Sequence, residues 1–100
     1  MTTLPACFAS AAAGAPAALA ARSRVYLPGT SESTHPSRLA QASRLALVAS
    51  MQGGSRRDQA LDLLAADALL TMALLVTASE QPAALLQVAT GLRHEAMATG

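Results

Sequence analysis

One hundred residues carrying a formal net charge of +1 make one domain at most. Apolar residues are 52% of the chain, aromatic residues 2% and charged residues 13%, so the apolar share is mostly Ala and Leu, with Tyr26 and Phe8 the only rings. This excludes an aromatic stacking surface for nucleic acid, and the near-balanced charge leaves no polybasic stripe to release counterions from DNA or to hold an anionic membrane.

The seven basic residues are all arginines, and Lys, Ile, Asn and Trp are absent, a bias expected of a GC-rich coding sequence. Cys7 is the single cysteine, which rules out intramolecular disulfides, zinc fingers and paired-cysteine redox chemistry. The most apolar run, residues 60–78, contains Asp62 and Asp67. A charge near mid-bilayer costs about 2.5 to 3.5 kcal/mol on insertion scales, so this run reads as a soluble helix and not as a membrane span.

In chain order, residues 1–35 form an Ala-, Ser-, Thr- and Pro-rich segment with little periodicity. No acid occurs before Glu32, and Arg22 and Arg24 follow an Ala-rich stretch. Such a segment is expected to be a disordered low-complexity tail, because few large apolar side chains offset its ordering entropy. Its composition also resembles an organellar transit peptide. A secretory signal would place positive charge ahead of its apolar stretch, the reverse of the order here. A cytoplasmic location is therefore expected, with organelle targeting through residues 1–31 as the alternative.

The folded part is expected over residues 36–100, an all-α, three-helix up-down-up bundle. The first helix spans about 36–52, with Pro36 suited to its first turn and Gly53-Gly54 stopping it. Ser55 and Asp58 form a capping-box variant that opens the second helix, about 56–79. At 100° per residue that helix has two apolar stripes, one of Leu61, Leu64, Ala68, Met72 and Leu75 and another of Leu63, Leu70 and Leu74. A third helix is expected over about 82–97, with Leu85, Val88, Ala89, Leu92 and Ala96 along one face.

Candidate chemistry is sparse. Asp67 lies among Leu63, Leu74 and Ala60, where a carboxylate either titrates in apolar surroundings or fixes the register of an interface. His94-Glu95 begins like H-E-x-x-H, but residue 98 is Ala and the zinc motif fails. His35 precedes a proline in a polar linker. Ser55, Arg56 and Arg57 at a helix start are a candidate anion contact, though without P-loop spacing and with Asp58 opposing the anion. No nucleophile with a base, and no paired carboxylates with a cleft, can be placed. Catalytic residues, cofactors and metal sites are therefore not expected, and the chain reads as non-enzymatic.

The expected function is that of a small helical interaction or assembly module. It would self-associate as a homodimer, or receive another helical protein, through the helix over 56–79, with Leu63, Leu70, Leu74 and Asp67 at the interface. One alternative is a small dimeric helix-turn-helix-type nucleic-acid-binding regulator using Arg56 and Arg57 on phosphates, although a groove-reading helix should not be Leu-rich on two sides. A further alternative is an incidental GC-rich reading frame without a selected role.

Overall fold

The computed structural model describes residues 3–80, 83 and 90–94. Four helices occupy the first 80 residues: α1 (Leu4–Ala11), α2 (Ala17–Arg24), α3 (His35–Ser50) and α4 (Arg56–Glu80). No strand occurs among the described residues, so the all-α expectation holds.

Local chemistry sets the ends of α3 and α4. The Thr34 side chain accepts from the N–H of Ser37 at 3.2 Å, and Pro36 occupies the first turn of α3. The last turn of α3 then tightens, with the N–H groups of Met51 and Gln52 donating to the carbonyls of Val48 and Ala49. Gly53 and Gly54 follow at φ of 99° and 103°, the left-handed region that glycine enters without a Cβ penalty. Ser55 Oγ accepts from the N–H of Asp58 at 3.0 Å, and α4 begins there as expected.

α3 and α4 pack as a helical hairpin through small side chains. The buried face of α3 is Leu39, Ala42, Ser43 and Ala46, and that of α4 is Asp62, Ala65, Ala66, Leu69, Met72, Ala73 and Thr77. Neither leucine stripe expected for the second helix is its core face. The stripes flank a seam of small residues, and only Met72 is shared with it. Small residues let the backbones approach, and the Ser43 hydroxyl reaches the carbonyl of Ala66 at 2.6 Å. A leucine in place of Ser43 or Ala66, where the helices come closest, would hold them farther apart.

The N-terminal segment is not a disordered tail. Leu4, Cys7 and Phe8 of α1 are buried, and Leu4, Phe8, Ala12 and Leu27 join the same apolar core as Leu39 and Leu69. Phe8 is only 1% exposed. One large ring supplies what the Ala-rich composition seemed to lack, since fully burying such a side chain contributes about 1.5 to 3 kcal/mol. The linker is also held: Thr30 accepts from Arg38 Nε at 2.9 Å, and Gln41 Oε1 accepts from the N–H of Ser31 at 2.8 Å. The fold of the described residues thus starts near Leu4 and not at Pro36, and of the expected up-down-up bundle they contain the first two helices, as α3 and α4.

Of the expected third helix over 82–97, residues 90–94 are helical. The remainder lies outside the described residues apart from Ala83. By length and composition α4 could cross a membrane, although it carries four acidic side chains, Asp58, Asp62, Asp67 and Glu80.

Candidate functional site

The polar centre of the molecule lies where α2 meets α4. Asp62 is buried on α4, and its Oδ1 accepts from the Tyr26 hydroxyl at 2.5 Å and lies 3.5 Å from Arg22 Nε. One turn earlier, Asp58 Oδ1 takes Arg22 Nη2 at 2.7 Å. The i, i+4 spacing of Asp58 and Asp62 places both carboxylates on one helix face, where a single guanidinium from α2 spans them.

These contacts fix proton positions. Burial pushes the Tyr26 phenol up to about 12, assisted by the hydrogen bond it donates to Asp62. Hydrogen bonds from Ser55 and Arg22 hold the Asp58 carboxyl below its ordinary value. Asp62 accepts from a phenol and lies beside a guanidinium, so the cluster clamps α2 onto α4.

A second feature is a cleft of about 310 Å³ between α1 and the end of α4, lined by Cys7, Ser10, Ala11, Leu75, Val76, Ser79 and Glu80. Burial raises the Cys7 thiol, and the negative charge of Glu80 raises it further. Both effects oppose thiolate formation, so the cleft does not activate the cysteine. No group of three or more His, Cys, Asp or Glu side chains suited to a metal ion occurs among the described residues.

Leu63 is 55% exposed, whereas Leu70 and Leu74 are half-buried at the edge of the hairpin seam. Asp67 is exposed, its backbone carbonyl accepting from Thr71 Oγ1 at 3.0 Å, and it makes no ion pair with a described residue. These four residues follow one side of α4. At 100° per residue and with the helices antiparallel, the partly exposed Leu47 of α3 falls on that same side of the hairpin. The linker after α2 lies on the opposite side, where Leu45 approaches Gly29. Ser55, Arg56 and Arg57 are all exposed at the start of α4, with the Ser55 hydroxyl already engaged by the N–H of Asp58.

Sequence reasoning singled out Asp67 and missed Asp62. Asp62 is the buried carboxylate, and its partners Arg22 and Tyr26 are far away in sequence, in the segment read as a tail. The only nearby signal was the Asp58, Asp62 spacing. No family model matches the chain, and neither curated proteins nor solved structures give a match.

Proposed function

We propose that this protein is a small non-enzymatic assembly module that pairs with a second copy of itself along the open side of the α3–α4 hairpin. The observation that carries this reading is a continuous row of apolar side chains on the side of the hairpin away from the linker after α2: Leu63 is 55% exposed and Leu47 43% exposed, with Leu70 and Leu74 beside them at half burial, whereas Leu64 and Leu75, exposed as well, lie on the other flank of α4. The clamp of Arg22 and Tyr26 on Asp62 gives the hairpin a fixed opposite side, so docking on the open side requires no rearrangement.

The area sets the strength. α4 has 25 residues and α3 has 16, which gives faces about 37 Å and 24 Å long and about 10 Å wide. Their sum is on the order of 600 Å², below the roughly 800 Å² per partner of a standard stable interface. The dimer is accordingly weak and concentration-dependent. Asp67 at the margin of the leucines fixes register more than it adds affinity.

Packing along the helix lengths supports this reading over the nucleic-acid one. A helix-turn-helix crosses its two helices at about 90 to 120°, which confines contact to the turn. Here Ser43 in the middle of α3 bonds Ala66 in the middle of α4, and Leu39, farther from the loop, is fully buried.

The test is sedimentation velocity of the full chain over a wide concentration range, beside the Leu63→Glu variant. The wild type should pass from monomer to dimer as concentration rises, with a midpoint insensitive to salt. The variant, whose side chain is already in solvent, should stay monomeric with unchanged helicity. A wild type that remains monomeric throughout, or a variant that dimerises equally well, would overturn the proposal.

A further inference from the structure

The end of the hairpin where α3 turns into α4 combines features that net charge conceals. Residues 33–57 contain no acidic side chain. Asp58, the first acid after them, has its Oδ1 committed to Arg22 at 2.7 Å. Arg56 and Arg57 are exposed and make no ion pair with a described residue. The near-neutral total therefore divides into a basic hairpin end and an acidic stretch of α4 beyond it.

The same end is apolar where a cytosolic surface is ordinarily polar. Met51 is 70% exposed and Val48 47% exposed. Gly53 and Gly54 add no side chain between this patch and the arginine pair, and an added Cβ on Gly53 would meet nothing within 4 Å. The turn thus has an exposed thioether and isopropyl group before its two glycines and two exposed guanidinium groups after them.

We infer that the hairpin end formed by Val48, Met51, Arg56 and Arg57 is a contact for the surface of an anionic lipid bilayer. Amphipathic elements of this kind bury their apolar side chains about 5 to 10 Å into the headgroup and acyl boundary while basic groups remain at the phosphates. The arginine forks suit phosphate and carboxylate geometry. Exposed Met51 and Val48 favour lipid over duplex nucleic acid, whose phosphates call for the arginines but give the two apolar groups nothing to enter. Asp67 lies on α4 beyond this end and is exposed, so contact at the surface is favoured over passage of α4 through the bilayer. The contact is independent of the self-association surface, and a dimer would present two of these ends.

The experiment is flotation of the full chain with vesicles of phosphatidylcholine alone and with about 30% phosphatidylserine, at low and high salt. Three variants accompany the wild type: Arg56→Gln with Arg57→Gln, Arg56→Lys with Arg57→Lys, and Met51→Ser with Val48→Ser. Their circular dichroism is recorded alongside, since all four positions are exposed and substitution should leave the fold intact. The wild type should float with the anionic vesicles and be released by salt. The glutamine pair should weaken partition by roughly tenfold or more, the lysine pair should retain most of it, and the serine pair should weaken it by about tenfold.

Absence of flotation with anionic vesicles overturns the inference, as does flotation that no variant changes. Binding to duplex DNA that the glutamine pair abolishes and the serine pair leaves intact would assign the arginines to nucleic-acid phosphates instead. Flotation lost in Leu63→Glu but retained in both neutral loop variants would move the lipid contact to the hairpin side and likewise overturn it.

Discussion

The Ser43 hydroxyl donates a 2.6 Å hydrogen bond to the backbone carbonyl of Ala66, joining the midpoints of α3 and α4. The bond forms only because both helices carry small residues at their contact, Ala42 and Ala46 on one and Ala65, Ala66 and Ala73 on the other. Close approach then turns the leucines outward to the flanks, and the exposed apolar surface proposed for assembly follows from that same packing choice.

Ser43→Ala should therefore cost about 1 kcal/mol, the net value of one hydrogen bond. Ser43→Leu should cost more, about 1 to 3 kcal/mol, because it forces extra volume into a close-packed seam. For a domain of this size 1 kcal/mol lowers Tm by about 4 to 8 °C, which a thermal melt resolves. Equal melting of Ser43→Leu and wild type would mean that α3 and α4 are not packed this closely.

Phe8 separates a packed N-terminus from a tail. At 1% exposure and with Arg24 stacked 5.4 Å from its ring centroid, Phe8→Ala should destabilise by about 3 to 5 kcal/mol. That is a large part of the 5 to 15 kcal/mol of an ordinary domain. The urea midpoint should fall steeply, whereas Phe8→Leu should retain most of the stability. Truncating a side chain in a tail would leave the midpoint unmoved.

The fold was legible in the sequence where local chemistry decides it. Thr34, Pro36, the Gly53-Gly54 pair and the Ser55 to Asp58 cap mark the ends of α3 and the start of α4, because each acts on backbone groups within a few residues. What could not be read are the choices made by distant partners. Leu4, Phe8 and Leu27 are scattered through a segment whose composition resembles a tail, and only their convergence on Leu39 and Leu69 makes them core. Likewise the apolar periodicity of α4 marked its outer leucines, whereas the buried face sets Ala65, Ala66 and Ala73 around Leu69 and Met72, and a hydrophobic pattern underweights the alanines. Asp62 was hidden by the same limit: an acid in an apolar helix is explained only once Arg22 and Tyr26 are brought beside it.

Tyr26 is the sole tyrosine, so the ultraviolet absorbance of tyrosinate reports this site alone. Its phenol is pushed up to about 12 from an ordinary value near 10. A phenol raised on folding stabilises the fold while protonated. That contribution is complete below about pH 10 and lost as pH rises towards 12, where a phenolate would face the Asp62 carboxylate. The absorbance midpoint should lie well above 10 in the folded protein and move back towards 10 in Asp62→Asn. A midpoint at the ordinary value in the wild type would show that the Tyr26 to Asp62 bond is not formed in solution.

Cys7 reports on how firmly α1 is docked. Its side chain is buried, and burial together with the Glu80 charge raises the thiol. A disulfide reagent at neutral pH then meets a largely covered sulfur at the wall of the cleft and a thiol that is harder to ionise than usual. Fast reaction needs α1 to lift, so its rate follows the open fraction. Modification of the native protein should be slower than that of the urea-unfolded chain by about a hundredfold or more. Leu4→Ala should speed it, because removing a buried leucine costs about 2 to 5 kcal/mol, and even 2 kcal/mol carried by the local opening alone is about thirtyfold in open fraction. Leu63→Glu, on the far side of the hairpin, should leave the rate unchanged. Equal rates for native and unfolded chains would show that α1 does not shelter the thiol, and equal rates for Leu4→Ala and wild type would show that the leucine is not what holds α1 down.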